Sequence, residues 1–361
     1  MKLSLQKNRR RGFALIIAML AIFILAVMAA FLAFSMKVET HLATTANDDQ
    51  QLIWLGRSGA QLARWYLVND RTGPYRSLNQ LWAGGAGTDI ESNSPVVGVP
   101  LTDYPIGNGT VSLKITDLER YVNINTAPAP LLQQILTVMG VDADDISVIS
   151  DSIQDWVQPG DSPRIAGAKN DYYQSLDPPY NCKEAPIDDL GELLLVRGIS
   201  DHPEIYFGGS PANVLPSPFQ HHLGIANSAD QGEPPDYPFG LKDVFTPFST
   251  GQININTADA NVLQLIPGVD TNTVASILQY RGGPSDDETG SDATPFQNVG
   301  QLQAAGVGAA IVNSMSRYCT VSSSTFQVDI TAKIGQDTRI FHAILFQRGG
   351  NIDLVDFYWD K

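Results

Sequence analysis

The sequence predicts an α+β fold: a long N-terminal helix, membrane-spanning in its first part, packs on a small antiparallel sheet whose strands are interrupted by an inserted helical domain. Three observations carry this. About 22 apolar residues, Phe13 to Phe34, follow a basic leader, and no proline appears until Pro74. Alternating strand patterns occur at Gly109–Leu118 and then only from Thr325 onward. Between them the pentapeptide Asn-Ile-Asn-Thr-Ala occurs twice, each time ahead of helical patterning.

The N-terminal element is different in kind from the rest. Lys2, Lys7, Arg9, Arg10 and Arg11 form the leader. The run after it, at ~1.5 Å per residue, is long enough for a hydrocarbon core of ~30 Å. Basic residues before it and an acidic chain after it orient the N-terminus to the cytoplasm and the body across the membrane, which in a bacterium is the periplasm. A cleaved secretory signal would have a shorter apolar core ending at a small-residue site, whereas a plain signal anchor fits the length and charges. A third reading rests on Arg11-Gly12-Phe13, where the leader ends in Gly and the apolar run begins at once. This resembles the class III signal of type IV pilins and pseudopilins, in which a prepilin peptidase cuts after the Gly, here Gly12, and methylates the new N-terminus, here Phe13. The fifth residue of such a mature chain is Ile17, where most pilin-like subunits carry Glu. In the filaments this resemblance implies, that buried carboxylate pairs with the N-terminal ammonium of the subunit above, so its absence suits a subunit with nothing above it.

From Ser35 to Val68 the pattern continues as helix, with Leu52, Leu55, Leu62, Ala63, Tyr66 and Leu67 among the apolar positions and Gly56 and Gly59 as places where it could loosen.

The repeated segments are Tyr121–Ala127 and Gln252–Ala258. In each, the Thr (Thr126, Thr257) is read as a helix N-cap, followed by Pro128 or Asp259 in the first turn. Downstream, Ser152–Trp156 corresponds to Ser276–Tyr280, and Ile187–Leu193 with Gly198 to Phe296–Leu302 with Gly306. Each copy reads as a small bundle of helix-hairpin-helix/SAM-like type. The second, with Leu265–Val269 and Tyr280-Arg281-Gly282, is similar to DNA-binding modules of competence proteins, which makes a membrane-anchored DNA receptor the alternative function. Such modules neutralise phosphates with flanking Lys or Arg. Here Asp142, Asp144, Asp145 and Asp151 flank the first hairpin, and Asp270, Asp286, Asp287, Glu288 and Asp292 follow the second, in a chain of formal net charge −15. That charge argues against nucleic acid as a partner.

Strands are expected at Gly109–Leu118, Thr325–Ile334, Arg339–Gln347 and Ile352–Trp359, with turns at Gly335–Thr338 and Gly349–Asn351. They are separated by about 200 residues of mostly helical sequence, so one sheet formed across the insert is the economical arrangement.

Taken in order, the pilin-type signal, the missing Glu, the helix, the split strands and the repeated Asn-Ile-Asn-Thr-Ala resemble the general secretion pathway protein K family of type II secretion minor pseudopilins. The stretch Asp155-Trp156 through Pro163-Arg164, Gly167-Ala168, Asp171–Tyr173 and Asp177–Tyr180 carries the same resemblance. It divides the chain into a prepilin leader at 1–12 and a transmembrane part at 13–35. A pilin-like α/β part then occupies 36–120 and 321–361, around a helical insert at 121–320 with repeats at 121–200 and 252–320. It implies a single-pass inner-membrane protein with a periplasmic body, partnered by the I- and J-type minor pseudopilins and processed by prepilin peptidase. Such a subunit forms the tip of the pseudopilus and nucleates its assembly, for export of folded proteins.

Asp155, Asp161, Asp171 and Asp177 supply carboxylates in a loop of little apolar content, a donor set suited to Ca²⁺, which takes six to eight oxygens. The resemblance favours structural calcium there, although Lys169 stands where the family usually has an acidic residue; a solvated acidic loop is the other reading. Cys182 and Cys319 are the only cysteines and could pair in an oxidising compartment. His41, His202, His221, His222 and His342 are scattered, and no catalytic motif is present. The chain therefore reads as a structural subunit and not an enzyme, with no catalytic residue assigned.

Overall fold

The computed structural model describes residues 9–70, 73–89, 91–209, 237–282 and 293–359, apart from the side chains of residues 9–12, His41 and Thr44. The start of the leader, His221-His222 and the Asp286–Asp292 insert lie outside the described residues.

Helix α1 runs from Arg9 to Asn69, about 90 Å at ~1.5 Å per residue. Its C-terminal third lies on one face of a five-stranded antiparallel sheet. The strands are β1 (Tyr104–Ile106), β2 (Gly109–Asp117), β7 (Thr325–Ile334), β8 (Asp337–Arg348) and β9 (Asn351–Trp359), ordered β1-β2-β7-β8-β9. The central pairing, β2 with β7, runs from Thr110 opposite Lys333 to Asp117 opposite Phe326, so the sheet closes across the whole insert. Period-two burial sets its inner face: Val111, Leu113, Ile115, Phe326, Val328, Ile330, Ala332, Phe341, Ala343 and Leu345 face α1, with Trp82 packed edge-on to Phe326 at 5.3 Å. Both hairpins close through two residues, and each has a positive φ at the first of them, Gly335 (59°) and Gly349 (61°), where a side chain would be strained. The short edge strand β1 has no alternating pattern long enough to be read from sequence.

The α1 glycines do the opposite of loosening the helix. A Cβ on Gly56 would stand 2.5 Å from the Phe341 ring, and one on Gly59 would stand 2.5 Å from Ile330 and 2.9 Å from Val111. They are the points where helix and sheet approach too closely for any side chain.

The insert has its own core. In its first half, β3 (Val122–Asn123) leads into α2 (Ala129–Met139) and α3 (Ala143–Val157). Short helices α4 (Asn170–Tyr173), α5 (Glu204–Phe207) and α6 (Leu241–Val244) follow, and β4 (Phe245–Thr246) returns to pair in parallel with β3. In its second half, β5 (Ile253–Asn254) leads into α7 (Ala260–Gln264), α8 (Thr271–Gly282) and α9 (Ala309–Met315) before β6 (Cys319–Thr320) pairs in parallel with β5. The repeated pentapeptides make the same bonds in both halves. Asn123 and Asn254 accept from the backbone N–H two residues on, at 2.8 and 3.0 Å. Asn125 exchanges two hydrogen bonds with the backbone of Ile187, and Asn256 does the same with Phe296. The expected Thr caps are displaced by two residues. Pro128 and Asp259 occupy the N-cap positions, and Asp259 accepts from Val262 N–H at 2.9 Å. Thr126 and Thr257 instead end the preceding turn, because each Asn side chain has already claimed the backbone there.

Where the two cores meet, two buried carboxylates tie three chain segments together. Asp117, the last residue of β2, accepts from Glu119 N–H (2.8 Å), Asn254 (3.1 Å), Thr257 (2.5 Å) and Ser323 (2.6 Å). Glu119 accepts from the N–H groups of Thr250, Ser324 and Thr325 and from the Thr325 hydroxyl, at 3.0–3.3 Å. Burial, followed by the Asp117 charge, pushes Glu119 up to about 7. Burial and then the nearby Glu91 push Asp70 up to about 8, against the pull of Arg76.

Two expectations follow. Both carboxyls hold a proton more tightly folded than unfolded, so the folded chain binds more protons between about pH 4 and pH 8 and loses stability as pH rises through that window. A thermal melt should therefore rise by a few degrees when the pH is lowered from about 8 to about 5.5, with a flatter slope in Glu119→Gln. Gly59→Leu should cost at least ~1–3 kcal/mol through overpacking against Ile330 and Val111, measured by denaturant unfolding, whereas Gln61→Leu on the outer face should be near neutral.

Candidate functional site: the uncovered side of the N-terminal helix

Helix α1 divides by residue chemistry into two lengths. From Phe13 to Phe34 apolar side chains surround the helix on all sides, and no described side chain is buried before Leu52. A helix apolar all round is stable only in lipid or among other helices. In length and composition this segment suffices to cross a membrane. Gly12 lies within the helix, and Phe13 and Ile17 lie on its uncovered stem.

From Leu52 onward the helix is two-faced. Leu52, Leu55, Ala60, Ala63, Tyr66 and Leu67 are buried on the sheet. The exposed positions are Trp54, Arg57, Gln61, Trp65 and Val68, spaced by three and four residues, so they form one stripe on the opposite side. Trp54 is 61 % and Trp65 40 % exposed. The Arg57 guanidinium sits 5.3 Å from the centroid of the Trp54 ring, and Arg64 donates to Ile352 O at 2.8 Å, anchoring the helix flank to edge strand β9. Two tryptophans on the water-facing side of an otherwise well-packed helix are the composition of an interaction surface. They fall outside the apolar positions that define the core stripe in the sequence. Their signal was the spacing of eleven residues between them, three helical turns on one face.

The remaining residues singled out in the sequence are placed as follows. Asp155 is buried at the end of α3, while Asp161, Asp171 and Asp177 are exposed, and no group of three or more metal-ligating side chains gathers among the described residues. The Asp155 carboxylate is already engaged by Arg164, from its backbone N–H at 2.9 Å and its Nε at 3.7 Å. Cys182 and Cys319 are free, buried thiols, not a disulfide. Cys182 points to the Asp155 carbonyl in the first half of the insert, whereas Cys319 lies in β6 in the second. Burial raises both thiols. His202 pairs with Glu204 at 3.1 Å and His342 with Asp329 at 2.9 Å. A cleft of about 530 Å³ between the sheet and the first half of the insert is lined by Tyr121, Asp188, Asp189, Lys242, Asp356 and Tyr358 among others, with no histidine, cysteine or serine.

Comparison with known proteins bears on the same regions. A family model described as type II secretion system (T2SS), protein K matches residues 112–205, from β2 into α5 in the first half of the insert. The chain is similar to a putative type II secretion system protein K of Escherichia coli K12, at 26% identity over 210 residues. It is also similar to the type II secretion system protein K of Pectobacterium carotovorum (24% over 216 residues) and of Klebsiella pneumoniae (25% over 206 residues). These alignments take in 53–54% of this chain and 59–60% of the relatives' own length. Among solved structures, the GspK-GspI-GspJ complex from enterotoxigenic E. coli contains a chain of the same fold, with TM-score 0.59 at 15% identity, covering 88% of this chain and 99% of that one.

Proposed function

We propose that the chain is a member of the type II secretion system protein K family, a minor pseudopilin that joins other minor pseudopilins through α1, caps the pseudopilus tip and nucleates its assembly. The observation that carries this reading is the uncovered side of α1: an all-apolar stem followed by the Trp54–Trp65 stripe, on a helix whose other side is fully used by the sheet. A solved relative assembled with GspI and GspJ makes the corresponding I- and J-type subunits the natural partners.

In this reading the leader is removed after Gly12 by prepilin peptidase, and Phe13 becomes the methylated N-terminus. The apolar stem first anchors the protein once in the inner membrane, with the body in the periplasm, and is later passed to the helical bundle of the filament. Extraction from lipid is energetically tolerable only if neighbouring helices cover the same apolar surface. Ile17 needs no ammonium partner, which suits a subunit with nothing stacked above it. The insert, of helix-hairpin-helix/SAM-like type, is a packing module whose bulk sits beyond the sheet and blocks further stacking. Its hairpin between α7 and α8 carries Asp270, a residue that repels phosphate, and this favours packing over DNA binding. The role is structural, in export of folded proteins.

Co-purification from membranes tests the proposal. With the I- and J-type partners co-expressed, the double variant Trp54→Ala/Trp65→Ala should keep its thermal melt and lose the complex by at least about tenfold in affinity, as hot-spot tryptophans do. Retention of wild-type affinity would remove the stripe from the interface.

A further inference from the structure

The loop that joins α3 to α4, residues 158–169, closes on a buried ammonium. Lys169 is only 5 % exposed, yet among the described residues its Nζ is in no ion pair with a carboxylate. It donates to the backbone carbonyl of Asp155 at 2.7 Å and to that of Gln158, the C-cap residue of α3. These carbonyls belong to the helix end, where peptide dipoles leave partial negative charge and no intrahelical donor remains. The loop's own anions are satisfied by other donors: Asp155 by Arg164, and Asp151 by Ala166 N–H at 3.1 Å. Gly167 is where the returning strand passes the Asp155 carboxylate, and a Cβ there would stand 2.0 Å from its Oδ2. The inner side of this loop is thus drawn around an ammonium that the chain itself carries, with Arg164 paired to Asp155 at its more exposed side.

We propose that the Lys169 ammonium occupies the place a divalent cation would need in this loop, so that the loop folds without calcium. A calcium ion needs six to eight oxygens at ~2.3–2.6 Å. Here the two inward carbonyls already accept from an ammonium, and both inward carboxylates already accept from N–H groups. A second cation would meet the like charge of Lys169 at close range in a site with little water to screen it. Asp161, Asp171 and Asp177, all exposed, are left as solvated surface charge. This loop would then keep its fold whether calcium is present or chelated.

Hydrogen exchange on the full-length chain in detergent micelles, read by mass spectrometry over residues 158–168, tests the proposal. In the wild type, protection of the Arg164 and Ala166 amides should be the same with EGTA as with millimolar calcium, and calorimetric titration should find no calcium bound at this loop. Lys169→Met should lose that protection in both conditions. Lys169→Asp should lose it in EGTA and regain it with calcium. Calcium-dependent protection in the wild type, undiminished protection in Lys169→Met, or failure of calcium to restore Lys169→Asp would each overturn the proposal. The wild-type comparison stands even if a variant fails to fold.

Discussion

Asp117 and Glu119 sit at the point where the chain leaves the sheet; seven hydrogen bonds hold them to residues 250–257 and 323–325, and Asp117 also accepts from Glu119 N–H. The sheet is built from strands at opposite ends of the chain, so β2 finds β7 only if the ends of the insert are brought together. Closing so long a loop is entropically costly, though the cost grows slowly with length. The clamp offsets it by fixing both crossings at once, and the register of β2 on β7, and so the inner face presented to α1, follows from it. An unpaired carboxylate in that position would be strongly destabilising, which is why every acceptor site there has a donor from one of the segments it joins.

The same sheet explains why α1 has a free side. Gly56 and Gly59 let the helix settle onto Phe341, Ile330 and Val111, and that contact fixes its rotation. Once the rotation is set, Trp54, Arg57, Gln61, Trp65 and Val68 must face outward, and none of the described residues covers the apolar stem beyond the body. In the proposed role, assembly would follow from packing: one face of the helix is consumed by the protein's own core, and the other, together with the stem, is left for lipid or other helices.

Much of this was legible in the sequence, for definite reasons. The apolar stem, the long strands and their interruption show as hydrophobic periods of 3.6 and 2, and the duplicated pentapeptide shows as an exact repeat. What escaped depended on three-dimensional proximity. Gly56 and Gly59 read as weak points because glycine's intrinsic cost in a helix is visible while the neighbour that requires it is not. Thr126 and Thr257 looked like caps until the asparagines before them took the turn. Composition does not say that the Arg164 N–H will reach Asp155, and Lys169 lies eleven or more residues from the carbonyls it bonds. The two cysteines suggested a bond by number alone, whereas each is buried against its own half of the insert.

The claim on which the assembly account rests is that α1 is the processed, filament-forming helix of a pilin-class subunit. Intact mass and N-terminal sequence of the protein recovered from membranes, with and without prepilin peptidase, test it most directly. The account predicts a chain beginning at methylated Phe13 when the peptidase is present and an uncut chain when it is absent. An uncut chain in both would leave α1 as a simple anchor and contradict the assignment.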